Sequence, residues 1–419
     1  MARPMSLSSS NSAMVEAGKK VLIGNYGRLP VAMVRGQGSH LWDADGKKYV
    51  DLFAGFGGSV LGHCHADLMK AMTEQAQQMW AVGNQFYSEP QIRLAERLNR
   101  LAYGGQAFFC HSGLEANECG VKLARLWGAQ FSPKRWKIIS LHRSFHGRSL
   151  AMVAATGNPA VKAGFDPAVP GFTQVEPGDF EALKAAVDDE TAGILMEPIQ
   201  GEGGVNPFPT HYVAQIRQLC DERKLLLHFD EVWTGGGRTG KWFGHQHFTP
   251  HDAPAVDLAK AKDVAIKPDL MSLGKAVGGG LPVGILWAKP DVAALLVPGK
   301  HGCTLGANPI CMAVADKVFE VMERDDLVNK AAALGDYAMA RLKSDRELGK
   351  KIIGVRGRGL FIGIEFGQSP DGIVEKSLEH GVIVNVTQKT IVRLAPAVTI
   401  SKEELDAGLD AFLAAARQI

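Results

Sequence analysis

The chain has 419 residues, enough for one large α/β domain with a smaller satellite, or for two or three domains. Hydrophobic residues at 46%, charged residues at 21% and a formal net charge of +2 give no electrostatic case for nucleic acid or an anionic membrane surface. No apolar run approaches the roughly eighteen residues of a membrane span. The six cysteines form no C-x-x-C pair and read as reduced thiols of a cytoplasmic protein.

The first twelve residues, rich in serine, read as a flexible tail. Val31 to Asp51 carries two alternating apolar runs around Asp45-Gly46, a hairpin signal that predicts a small antiparallel ribbon. Glycine-rich loop follows from Gly55 to His65, then an amphipathic helix from Ala66 to Trp80. Between about residues 90 and 290, short β-like runs alternate with helical stretches. The expected strands are Ala107–Cys110, Ile138–Leu141, Gly193–Met196, Leu225–Phe229, Leu270–Leu273 and Val283–Trp287, with helices such as Glu115–Gly128 and Thr210–Lys224 between them. That alternation predicts a mostly parallel sheet flanked by helices. After Ala307 come two long helices, the first from Pro309 to Arg324. Apolar segments follow at Val355–Phe366, Val382–Asn385 and Val392–Leu394, a separate α+β unit.

Three stretches invite chemistry. In Met271–Gly284, Lys275 follows an apolar run and precedes Gly278, Gly279 and Gly280. A lysine so placed is either a surface residue before a turn, or a desolvated amine of lowered pKa beside a backbone that a flat ligand can approach. Leu225–Val232 reads as a buried strand delivering Asp230 to its carboxyl end, where α/β folds bind ligands. That acid could hold a nucleotide-bound magnesium ion or face the ring nitrogen of a pyridine cofactor. Gly235–Lys241 nearly fits a phosphate loop. However, Trp242 stands where a metal-binding hydroxyl is required, and the loop follows the acidic strand instead of opening the domain. Phe108–Glu115 runs from strand into helix, so Ser112 can cap while the Gly113 and Leu114 amides are free to meet a phosphate. Phe145 and Arg148 supply an aromatic face and a carboxylate fork, and Thr304 is either a loop hydroxyl or a further phosphate donor. His63, Cys64 and His65, like His245, His247 and His251, lack further ligands at useful spacing, so no metal site is expected.

A flat, phosphorylated, lysine-linked cofactor with an acidic pyridine partner is pyridoxal phosphate. From about Pro30 onward the sequence resembles the class-III aminotransferases of pyridoxal-phosphate fold type I. The resemblance rests on SGLEANE (112–118), FHGR (145–148), MEPIQGEGG (196–204), DEV with GRTG (230–240), SLGK (272–275) and HGCTLGANP (301–309). Segments outside these motifs, LWDADGKKYVDL and NVTQKTIVRLAPAVTIS among them, are similar to the acetylornithine aminotransferase branch.

The resemblance implies a fold type I chain: a tail at 1–20, a segment at 21–65 joining the small domain, a large cofactor domain at 66–305 and a small domain at 306–419. It implies that Lys275 bonds the cofactor and then moves a proton, and that Asp230 keeps the pyridine nitrogen protonated. Phe145 and Val232 would flank the ring. Ser112, Gly113, Leu114 and a neighbouring subunit's Thr304 would hold the phosphate, which implies a homodimer. Arg393 would take the α-carboxylate of glutamate and pair with Glu202 in the other half-reaction, although it could instead be a structural ion-pair residue. Arg148 would take the distal carboxylate. Trp233 stands where this branch usually has Gln, and His111 where Asn is common. The longer segment from Thr249 to Lys267 has no assigned role. The expected reaction moves the terminal amine of N-acetylornithine to 2-oxoglutarate. Other ω-amino donors, an aminomutase or decarboxylase, and a binding-only relict are the alternatives.

Overall fold

The computed structural model describes residues 10–249 and 266–419, so most of the Thr249–Lys267 segment, and His251, lie outside the described residues. At its centre is a seven-stranded sheet in the order Gln106–Cys110, Gly284–Ala288, Leu270–Leu273, Leu226–Asp230, Thr191–Met196, Lys137–Leu141, Phe172–Val175. All strands run parallel except Gly284–Ala288, which is antiparallel to both neighbours. The three middle strands are buried along their whole length, because helices cover both faces. Alternate residues of one strand serve the two faces. Leu226 packs with Ala116 and Leu123 of the Gly113–Ala129 helix, while Leu227 packs with Val213 and Ile216 of the Thr210–Arg223 helix. The sequence does not announce the edge strand Phe172–Val175, in which only Val175 is buried.

Sheet register fixes the chemistry's location. Asp230 ends its strand opposite Ser272, and Lys275 follows three residues later, so both emerge at the carboxyl edge of adjacent strands.

The amino-terminal ribbon forms as the hairpin signal predicts: Met33–Gln37, His40–Asp43 and Lys48–Asp51 are antiparallel, with Gly46 turning at a φ of 86°. Its last strand pairs in parallel with Val382–Ile383, tying the first segment to the carboxyl-terminal part. There, Ile352–Arg358, Phe361–Phe366, Ile391–Leu394 and Asn385–Thr387 make an antiparallel sheet. A helix, Asn11–Val21, begins within the first twelve residues read as a flexible tail, although none of its residues is buried. Ser10 caps it, and Asn11 anchors it by donating to Asp45 (3.0 Å) and accepting from Ala32 N–H (2.9 Å).

The histidine clusters have structural partners. His63 bonds Asp51 at 2.8 Å, His65 caps the Ala66–Gln78 helix, and His245 and His247 contact Glu231 and Thr239. The near-miss phosphate loop is a packing device. Arg238, fully buried, donates to Gly57 O at 3.1 Å and to Pro396 O, clamping both ends of the chain to the loop.

Candidate active site

A cavity of about 320 Å³ opens at the carboxyl edge of the sheet. Every candidate residue named from the sequence lines it except Glu202, Arg393 and Thr304. A larger cavity of about 680 Å³ lies beneath the Asn11–Val21 helix; its lining is mostly apolar, with Lys19, Tyr26 and Arg28, and contains no acid.

Asp230 forms the polar floor. Its Oδ2 accepts from Asn117 Nδ2 at 2.7 Å and lies 2.8 Å from His146 Nδ1, while Oδ1 accepts from Val232 N–H at 3.1 Å. Burial pushes its carboxyl up, yet His146, Val232 and Asn117 outweigh that and hold it below the usual carboxylate range. The result is a fixed negative charge in an apolar setting. Glu197 is the opposite case. Burial, then the charge of Asp230, raises it well above the ordinary value, although Gly201 and Phe145 N–H donate to it at 3.0 and 3.3 Å. The two neighbouring acids are shifted in opposite directions, Asp230 toward its charged form and Glu197 toward its neutral one.

Lys275 leaves its strand with φ at 47°, the left-handed region that a side chain adopts at a cost. Burial lowers its amine to about 8, against the pull of Glu202 and Asp230 toward the charged form. The Nζ sits 4.2 Å from the centre of a Trp233 ring, and among the described residues it has no hydrogen-bond partner. A partly neutral, unencumbered amine is a nucleophile toward carbonyls.

Trp233 is 5% exposed and stacks on Phe361 at 4.9 Å and 11°. Its bulk fits because Gly57 and Gly201 lie against it, where a Cβ at either position would overlap the indole. Its Nε1 is buried without a partner. Beside it is Arg393, fully buried, whose Cζ lies 4.5 Å from the Trp233 ring. Arg393 donates to Glu202 at 2.8 Å and Asn385 at 2.9 Å, leaving Nε unsatisfied. Arg148, by contrast, is exposed, packs over the Phe145 ring at 5.3 Å, and has no carboxylate partner among the described residues.

At the cavity's rim Ser112 caps the Gly113–Ala129 helix by accepting from Glu115 N–H. The Gly113 and Leu114 N–H groups open the first turn and have no intrahelical acceptor. Val232 lies so close to Gly113 that no side chain fits there. An anion would meet free N–H groups and the positive helix end. Thr304 is exposed and does not line the cavity of its own chain. Asn117 and His146 line the cavity without being singled out by sequence, as does Glu197 beyond an expected supporting place near the cofactor, and Phe361 backs Trp233. The first three sit inside the quoted motifs, whereas Phe361 carries no local signal.

Residues 23–416 match the family model for aminotransferase class-III. The chain is a class-III aminotransferase. It is 41% identical over 401 residues to an acetylornithine aminotransferase of Myxococcus xanthus, covering 95% of this chain and 96% of that one. It is 38% identical to ornithine aminotransferase 1 of Staphylococcus aureus, covering 93% and 95%. In three dimensions it superposes on the ornithine aminotransferase of Toxoplasma gondii with a TM-score of 0.88, at 29% identity and coverage of 97% and 94%. The aminotransferase has fold type I and is a pyridoxal-phosphate-dependent transaminase, taking an amino donor and a keto-acid acceptor. Its cavity fits that cofactor: a charged acid for a ring nitrogen, a free amine for an aldehyde and a helix start for a phosphate. No described helix is long and apolar enough to cross a membrane.

Proposed function

We propose that this ω-aminotransferase carries the terminal amine of N-acetylornithine to 2-oxoglutarate, giving N-acetylglutamate semialdehyde and glutamate. The observation that carries this reading is the contrast between two arginines near Lys275. Arg148 is free, whereas Arg393 is masked by Glu202. A donor with one carboxylate and a remote amine engages Arg148 and leaves Arg393 covered. A dicarboxylate such as 2-oxoglutarate engages both, so Glu202 must release Arg393 in the second half-reaction. One cavity thereby serves two substrates of different charge.

Pyridoxal phosphate supplies an aldehyde to receive the amine and a ring to accept electrons released when a C–H proton leaves. Lys275 is the amine that would hold the aldehyde, and its Nζ is the group that would move the proton. Asp230 would hold the proton on the pyridine nitrogen, with Asn117 and His146 fixing the carboxylate. Ser112, Gly113 and Leu114 would hold the phosphate, joined by Thr304 from a second copy of the chain. Phe145 and Val232 would flank the ring, and Trp233 would close the side nearest Arg393.

The acetylated donor is supported by the name of the Myxococcus relative, and ornithine as a second reading by that of the Staphylococcus relative. A steady-state panel of N-acetylornithine, ornithine, succinylornithine and 4-aminobutyrate against 2-oxoglutarate decides between them. The reading expects the highest kcat/KM for N-acetylornithine. A tenfold preference for another donor overturns it, and turnover without 2-oxoglutarate would indicate a mutase.

A further inference from the structure

Three ligand-type side chains, distant in sequence, meet beside the turn that begins the Gly113–Ala129 helix. His111 follows the Gln106–Cys110 strand, Glu115 lies in the first helical turn, and Cys303 comes from the loop before Pro309. Cys303 Sγ is 3.2 Å from His111 Nδ1 and 3.7 Å from Glu115 Oε1, and the latter two are 3.2 Å apart. Tetrahedral zinc, with bonds near 2.3 Å to sulfur and 2.0–2.2 Å to nitrogen or oxygen, places neighbouring ligand atoms about 3.3–3.6 Å apart. The three observed edges therefore approximate one face of such a tetrahedron before any ion arrives.

The ligands are also held. Glu115 Oε2 accepts from His111 N–H at 2.9 Å and from Ser112 Oγ at 3.0 Å, which fixes Oε1 toward the other two. Asn84 Nδ2 donates to Cys303 O and Gly306 O, both at 2.9 Å, anchoring the cysteine's loop. In the single chain all three side chains are partly exposed, which leaves room for water in a fourth position, and Cys303 adjoins Thr304 on the face expected to meet a second copy. A thiolate and a carboxylate together neutralise a dication, and an imidazole with a thiolate favours borderline-soft metals over magnesium or calcium.

We propose that His111 Nδ1, Glu115 Oε1 and Cys303 Sγ form a binding site for a divalent cation of the zinc class. The proposal is independent of the amino-donor assignment. Binding exchanges the cysteine's proton for the metal, so affinity rises with pH. The sequence pattern excludes such a site only because its ligands stand at 111, 115 and 303, a spacing that local motif reading cannot see.

The test uses the full-length, cofactor-loaded enzyme without an affinity tag, dialysed against micromolar zinc. Metal content by mass spectrometry should reach one ion per chain, and affinity should fall at least tenfold in Cys303→Ser and in His111→Asn. Cobalt should give four-coordinate ligand-field bands in the red, away from cofactor absorption. In the unmutated enzyme zinc should protect Cys303 from iodoacetamide, as mapped by peptide mass spectrometry, a readout that does not depend on how any variant folds. Equal metal uptake by Cys303→Ser, no retained zinc, or unchanged alkylation of Cys303 would overturn the proposal.

Discussion

Lys275 and Asp230 owe their chemistry to opposite consequences of burial. The amine is pushed down to about 8, while the acid stays charged because His146, Val232 and Asn117 hold it. Only the neutral amine attacks an aldehyde, and raising the pH through 8 increases that form. Cofactor capture by the stripped enzyme should therefore accelerate up to about pH 8 and level off above it. Stopped-flow absorbance checks this, and a rise delayed to about pH 10, the value of an ordinary lysine, would contradict it. Arg148 is tested by Arg148→Ala, which should raise KM for N-acetylornithine about tenfold or more, as expected for a charge-assisted contact of about 1.5–3 kcal/mol. An amine lacking a carboxylate should be little affected, and equal losses would remove Arg148 from recognition. Glu202→Ala unmasks Arg393. The preference for glutamate over N-acetylornithine as donor should rise about tenfold if the pair holds back as little as ~1.4 kcal/mol. An unchanged ratio of kcat/KM values would reduce Arg393 to a structural ion-pair residue.

Elements converge on the cavity through close packing that small residues permit. Gly120, in the middle of the Gly113–Ala129 helix, lies against the His228 ring, which bonds Ser272 Oγ at 2.7 Å. An added methyl would gain about 0.8–1 kcal/mol in helix propensity but lose about 1–3 kcal/mol to overpacking against a ring with little room to move. Gly120→Ala should therefore destabilise modestly, by about 1 kcal/mol on chemical denaturation, and a more stable variant would refute the packing argument. What the sequence reveals follows from the same physics. Leu270–Leu273 and Leu226–Asp230 are legible because burial on both faces demands unbroken apolar runs. Phe172–Val175 is not, since an edge strand needs only one buried residue. Lys275, Asp230 and the helix turn at Ser112 sit in local motifs, whereas Phe361 against Trp233, and Cys303 against His111, depend on distant segments meeting. The Asn11–Val21 helix is hidden for another reason. It buries nothing, and its tethers to Asp45 and Ala32 are tertiary.

At the scale of the whole molecule, Thr304 faces outward on a surface that also exposes Trp80, Phe86, Tyr87 and Leu305. Asn84 and Asn308 bond this aromatic segment to the Thr304 loop, so they form one rigid face. We expect that face to meet a second copy, each chain lending Thr304 to its neighbour's phosphate. Mixed dimers of Lys275→Ala and Thr304→Ala subunits should then recover one intact site per dimer. If Thr304 instead serves its own chain, no site is restored and the mixture stays as impaired as its components. The account as a whole stands on which amine meets the cofactor, and borohydride reduction of the loaded enzyme followed by peptide mass mapping reads that directly. It should find the pyridoxyl mass on the peptide containing Lys275 and on no other. The same mass on a different lysine, with Lys275 unmodified, would contradict it.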